Sequence, residues 1–178
     1  MKRLIAKSTC EPQGGSGGVR AIRITTNVLH VDDDPKDIEL LCAAVRKANL
    51  HWGLQHVEDG EEAIQYLTGA DGYSDRERHP LPDMVLLDLK MPRLTGFEVL
   101  KWIRRHKALF LLPVIIFSGS ALQEDVRQAY QAGATSFIIK PLGFQALVKL
   151  LKDLRTGWHG PMNVCRKAKS IRAQAMRV

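Results

Sequence analysis

The sequence predicts an α/β domain: a doubly wound, five-stranded parallel sheet in the order 2-1-3-4-5, with helices on both faces. Three observations carry this expectation. From residue 27 onward a short apolar run is followed by a segment of helical periodicity, and the pattern repeats five times. The links are short, and strands joined through a helix are parallel because a parallel partner is reached only by a crossover. The third run, Met84 to Leu87, is apolar throughout, as expected of a strand buried on both faces. Right-handed crossovers leave few strand orders, and in this one a ligand belongs outside the carboxyl ends of strands 1 and 3.

Each element has its own signal. "NVLHVD" reads as the first strand, and in "DPKDIELLCAAVRKA" Asp34 offers an N-cap, Pro35 suits the first helical position, and Ile38, Leu41, Cys42 and Val45 share a face. "LQHVE" alternates as a second strand. "GEEAIQYLTG" is a short helix with Ala63, Ile64 and Leu67 inward and Gly69 as C-cap. The polar stretch "ADGYSDRERHPLP" leads to the third strand, and "TGFEVLKWIRRH" is helical through Phe97, Leu100 and Ile103. "PVIIFS" is the fourth strand, and "LQEDVRQAYQAG" is a helix closed by Gly133. "SFIIK" is the fifth, and "FQALVKLLKDLR" lines up Phe144, Leu147, Leu151 and Leu154.

The formal net charge of +7 invites a nucleic-acid or membrane reading, but its distribution argues otherwise. Residues 1–26 carry five Lys/Arg against one acid, and residues 161–178 carry five against none. Residues 27–160 hold 16 basic and 18 acidic side chains, so the basicity belongs to the ends. Residues 1–26, with the Gly-rich "EPQGGSGG", are expected as a flexible extension, residues 27–157 as the folded domain, and residues 158–178 as a basic tail. Cys10, Cys42 and Cys165 are scattered and lack metal-ligand spacing, which reads as reduced thiols in a cytoplasmic protein. No run approaches the roughly 20 apolar residues of a membrane span, so no membrane partner is expected.

Several reactive groups converge on one sheet edge. Asp32 and Asp33 end the first strand, Asp88 the third, Ser118 the fourth and Lys140 the fifth. Three carboxylates gathered together repel one another and need a cation to persist. With no His or Cys at ligand spacing, a hard ion on oxygen donors is expected, and Mg²⁺ bound by carboxylates and phosphate oxygens suits the set. Lys140 adds an ammonium and Ser118 a hydroxyl, together a site able to accept a phosphoryl group.

"LHVDDDP", "LLDLKMPRLTGFEVL", "PVIIFSGSA" and "AGATSFIIKPL", in this order over about residues 27 to 156, resemble the successive motifs of CheY-like response-regulator receiver domains. The resemblance implies that Asp88 accepts phosphate from a sensor histidine kinase. Asp33, Asp88 and the Lys90 backbone carbonyl would ligate Mg²⁺, with Asp32 acting through metal-bound water. Ser118 would be the switch hydroxyl, Phe137 the aromatic switch and Lys140 the phosphate-pairing lysine. "YSDRERHPLPD", "DGEEAIQYL" and Trp158 are similar to the small stand-alone regulators that partner cyanobacterial-type phytochrome kinases. On this reading the output is another protein or a second copy of the chain, with Tyr130, Trp158 and the last helix as dimer contacts. Any enzymatic action is expected to be limited to the domain's own phosphoryl transfer and dephosphorylation, since the 21 residues of 158–178 leave no room for an output domain.

A nucleic-acid adaptor using the basic ends is the alternative, although no aromatic residues interleave with those charges. A haloacid-dehalogenase-like phosphatase would resemble Asp-x-Asp, whereas Leu89 and Lys90 follow Asp88. Lys90 stands where the family often has an uncharged side chain, and it would either cover the phosphoryl group and prolong its lifetime or project into solvent. The six histidines read as surface or packed residues.

Overall fold

A computed structural model describes residues 26–157, and the readings placed on residues 1–25 and 158–178, Trp158 included, lie outside the described residues. Five strands alternate with five helices: β1 Thr26–Val31, α1 Pro35–Lys47, β2 Trp52–Val57, α2 Gly60–Thr68, β3 Met84–Leu87, α3 Gly96–Arg105, β4 Val114–Ser118, α4 Gln123–Gln131, β5 Ser136–Ile139 and α5 Phe144–Gly157. They form one sheet in the order β2-β1-β3-β4-β5. Every pairing is parallel, with Val31 beside Leu87, Leu87 beside Ile116, and Ser118 beside Ile139. The expected architecture and strand order are the observed ones.

Alternation along the strands divides the core into two layers. Leu29, Val31, Val85, Leu87, Val114 and Ile116 pack beneath α2, α3 and α4 with Ala63, Val99, Leu100, Ile103 and Ala129. Val28, Leu54, Met84, Leu86, Ile115 and Phe117 meet α1 and α5 through Leu41, Cys42, Val45, Leu147, Val148 and Leu151. β3 is buried along its whole length, whereas β5, at the sheet edge, is only half-buried.

Two expectations need correcting. In α2 Ala63 and Leu67 are buried, but Ile64 is half-buried, and Tyr66 takes its place in the core at 1% exposure. The cause is the segment between α2 and β3, which folds back over the helix end. The Tyr66 hydroxyl donates to the Pro80 carbonyl (2.8 Å), and the Tyr73 ring packs against it at a tilt, with centroids 5.1 Å apart. The Arg76 guanidinium donates to the Tyr66 and Leu67 carbonyls (2.8 and 3.1 Å), capping the helix beside Gly69, whose φ is 80°. Leu122 is the second correction: it is the N-cap of α4 rather than part of it and is largely exposed. On the opposite side Arg104 donates from Nε to the Gly133 carbonyl (2.7 Å) and from Nη1 to that of Leu112 (2.9 Å), tying α3 to the ends of two links.

Candidate functional site

The strand ends bring the predicted acids together. Asp32 is drawn inward as its N–H donates to the Val57 carbonyl (3.1 Å), while its Oδ1 accepts from the Asp34 N–H (3.1 Å). Asp34 is the N-cap of α1, accepting from the Lys36 N–H (2.9 Å), as expected. Across the sheet, the Asp88 N–H donates to the Val31 carbonyl (3.0 Å), and Asp88 Oδ2 accepts from the Lys90 N–H (3.0 Å). Asp32 and Asp88 are buried and Asp33 is exposed; one carboxylate oxygen from each lies within 4.8 Å of the others. An all-oxygen donor set with excess negative charge fits a hard divalent cation and not a soft one.

Lys140 reaches into this cluster from the end of β5. Its Nζ lies 2.8 Å from Asp32 Oδ2, 2.6 Å from Asp37 Oδ2 and 3.8 Å from Asp88 Oδ1. Burial alone would raise the Asp32 pKa, but the hydrogen bond and charge of His30, together with those of Lys140, hold it down at about 2. Burial would lower that of Lys140, yet its bonds to Asp32 and Asp37 and the charges of Asp32 and Asp88 carry it above the ordinary lysine range. The ammonium is therefore charged at any physiological pH.

The other predicted residues fall around this centre. Ser118 is buried at the end of β4, and its carbonyl accepts from the Lys140 N–H (2.8 Å), which fixes the two strand ends side by side. Phe137 is half-buried against the layer beneath α4. The side chain of Lys90 is exposed, and its backbone touches Asp88 through the N–H.

Three site residues were not identified from sequence. Asp37 reads there as a first-turn acid on α1, favourable to the helix dipole, and nothing local points to a lysine 103 residues later. His30 reads from the sequence as a surface or packed histidine; it is packed, 1% exposed, with Nε2 3.2 Å from Asp32 Oδ2 and its ring 5.4 Å from that of His56. Its place two residues before Asp32 on a strand, hence on the same face, was the available signal. Gly96 lies directly under the site: a Cβ there would stand 2.1 Å from the Asp88 carbonyl oxygen.

The family described as response regulator receiver domain matches residues 28–152. A probable methanogenesis regulatory protein, FilR2 of Methanothrix harundinacea, is 32% identical over 133 residues, spanning 75% of this chain and 83% of that one. Among solved structures, the response regulator RPA3017 in red light signalling of R. palustris superposes with a TM-score of 0.72 at 31% identity, over 76% of this chain and 95% of its own. The phosphorylated cyanobacterial phytochrome response regulator RcpA gives a TM-score of 0.68 at 28% identity, with 76% and 94% covered. The Mn²⁺-bound form of response regulator Rcp1 gives 0.66 at 26%, with 76% and 95% covered. These comparisons lend no support to the nucleic-acid adaptor.

Proposed function

The chain belongs to the response-regulator receiver family, and from that premise we propose that Asp88 takes a phosphoryl group from the phosphohistidine of a phytochrome-type sensor kinase in the cytoplasm. The observation that carries this reading is the setting of Asp88. It is 6% exposed at the end of a rigid strand, one oxygen held by the Lys90 N–H and the other 3.8 Å from the Lys140 ammonium. Asp32, Asp33 and Asp88 would hold Mg²⁺, with the Lys90 carbonyl as a further ligand and Asp32 engaged through water. Bound there, the ion supplies positive charge against the phosphoryl oxygens and offsets the repulsion among the carboxylates. Incubation with Mg²⁺ and acetyl phosphate is expected to add one base-labile phosphoryl mass, absent when EDTA is present. An EDTA-insensitive gain would refute metal-assisted transfer.

On this reading Ser118 would hydrogen-bond the new phosphoryl group and Phe137 would turn inward as it does so, biasing the surface of α4, β5 and α5 between two packings. That side presents Leu122, Tyr130, Ile139 and Leu142, all more than 45% exposed, for a downstream protein or a second copy. Light scattering is expected to show a concentration-dependent rise in mass with a phosphoryl analogue; a monomer under both conditions would rule out dimerisation.

Loss of the phosphoryl group by the domain's own hydrolysis completes the cycle. Lys90 is exposed two residues past the acceptor, and on this proposal it would add a cation over the phosphoryl group and obstruct water. Lys90→Asn is expected to shorten the phosphate lifetime, and an unchanged dephosphorylation rate would refute this role.

A further inference from the structure

Lys140, the cation that would pair with a phosphoryl group on Asp88, is already engaged elsewhere. An ammonium has three N–H donors, and here two face Asp32 (2.8 Å) and Asp37 (2.6 Å), while Asp88 stands back at 3.8 Å. The two holders differ. Asp32 is 1% exposed and also meets His30, so releasing it would leave a carboxylate buried with little compensation. Asp37 is a third exposed, on the first turn of α1, where water can replace the ammonium at small cost.

The geometry points to Asp37 as a releasable counter-ion, a positioning residue that draws Lys140 aside in the phosphate-free protein and yields it as phosphoryl charge arrives on Asp88. This rests on the phosphoacceptor reading above. Two consequences follow from it. Asp37 opposes retention of the phosphoryl group, because its hold on Lys140 has to be loosened first. The bridge is also a tether between the first turn of α1 and the link from β5 to α5, so the start of α1 is released when the site is filled.

The test is a calorimetric titration of the full chain with beryllofluoride, a non-covalent phosphoryl mimic, at saturating Mg²⁺ so that any change in metal affinity drops out. Asp37→Asn is expected to bind about three- to ten-fold more tightly than wild type, the range expected for one partly exposed ion pair. In a Lys140→Met background the same substitution is expected to change nothing, since its effect acts through the ammonium. Unchanged or weaker binding by Asp37→Asn overturns the inference and leaves the phosphoacceptor reading standing. An equal gain in the Lys140→Met background overturns it as well, by reducing Asp37 to a remote charge. Absence of beryllofluoride binding by wild type overturns the phosphoacceptor reading, and the inference with it.

Discussion

Asp88→Asn is expected to gain no phosphoryl mass under conditions in which the wild-type chain gains one. In the proposed transfer an Asp88 carboxylate oxygen would form a bond to phosphorus as the phosphorus–nitrogen bond of the donor imidazole, or the phosphorus–oxygen bond of acetyl phosphate, breaks and the leaving group keeps the electron pair. An amide oxygen carries no negative charge and cannot take this part. The substitution is otherwise mild, since the Asn side-chain oxygen still accepts from the Lys90 N–H. It also removes one of three carboxylates that crowd within 4.8 Å, so thermal stability without metal is expected to hold or rise. Intact mass and a melting curve on the same sample separate loss of chemistry from loss of fold. Uptake of a base-labile phosphoryl group by Asp88→Asn would move the acceptor to another carboxylate, Asp33 being the exposed neighbour.

Gly96→Ala is expected to produce the largest loss of stability. The new methyl group would stand 2.1 Å from the Asp88 carbonyl oxygen and 2.9 Å from the Leu89 Cα, both of them backbone, which cannot swing aside as a side chain can. The start of α3 is held in place by the Gly96 N–H donating to the Leu89 carbonyl (3.1 Å) and by Val99 and Leu100 in the core. Relief of the clash therefore displaces the link that carries Asp88. We expect a loss of about 3 kcal/mol and a melting point lower by roughly 10 °C, with slower phosphoryl uptake. Gly119→Ala serves as the control, because a Cβ there meets nothing within 4 Å. Equal melting points for the two variants would mean that the approach of α3 to the acceptor strand is looser than described.

Much of this was legible in the sequence because it depends on periodicity and on where a strand stops. Apolar runs ending in Asp32, Asp88, Ser118 and Lys140 are local signals, and a parallel sheet aligns all such ends on one edge. What escaped depends on contacts between distant segments. Asp37 gains its role only when β5 brings Lys140 beside α1, and Gly96 matters only through the proximity of another backbone. Tyr66 takes the buried place expected of Ile64 for the same kind of reason. The segment from Ala70 to Pro82 reads as a polar connection, yet Tyr73 and Arg76 make it a second wall around the end of α2. His30 was the nearest miss, since two-residue spacing on a strand already put it on the face of Asp32.

Among the described residues, the acids of the site follow β1 and β3, with Asp37 on α1, and the ammonium that meets them follows β5. Folding order and charge balance are thereby coupled. A chain emerging from the ribosome presents Asp32, Asp33, Asp37 and Asp88 before residue 140 exists, so until β5 docks these acids face one another without the lysine ammonium. Docking of the half-buried edge strand both completes the sheet and supplies that ammonium. On the reading proposed above, a divalent cation held by these carboxylates would offset their repulsion until then, and so favour folding of the domain before it serves any signal.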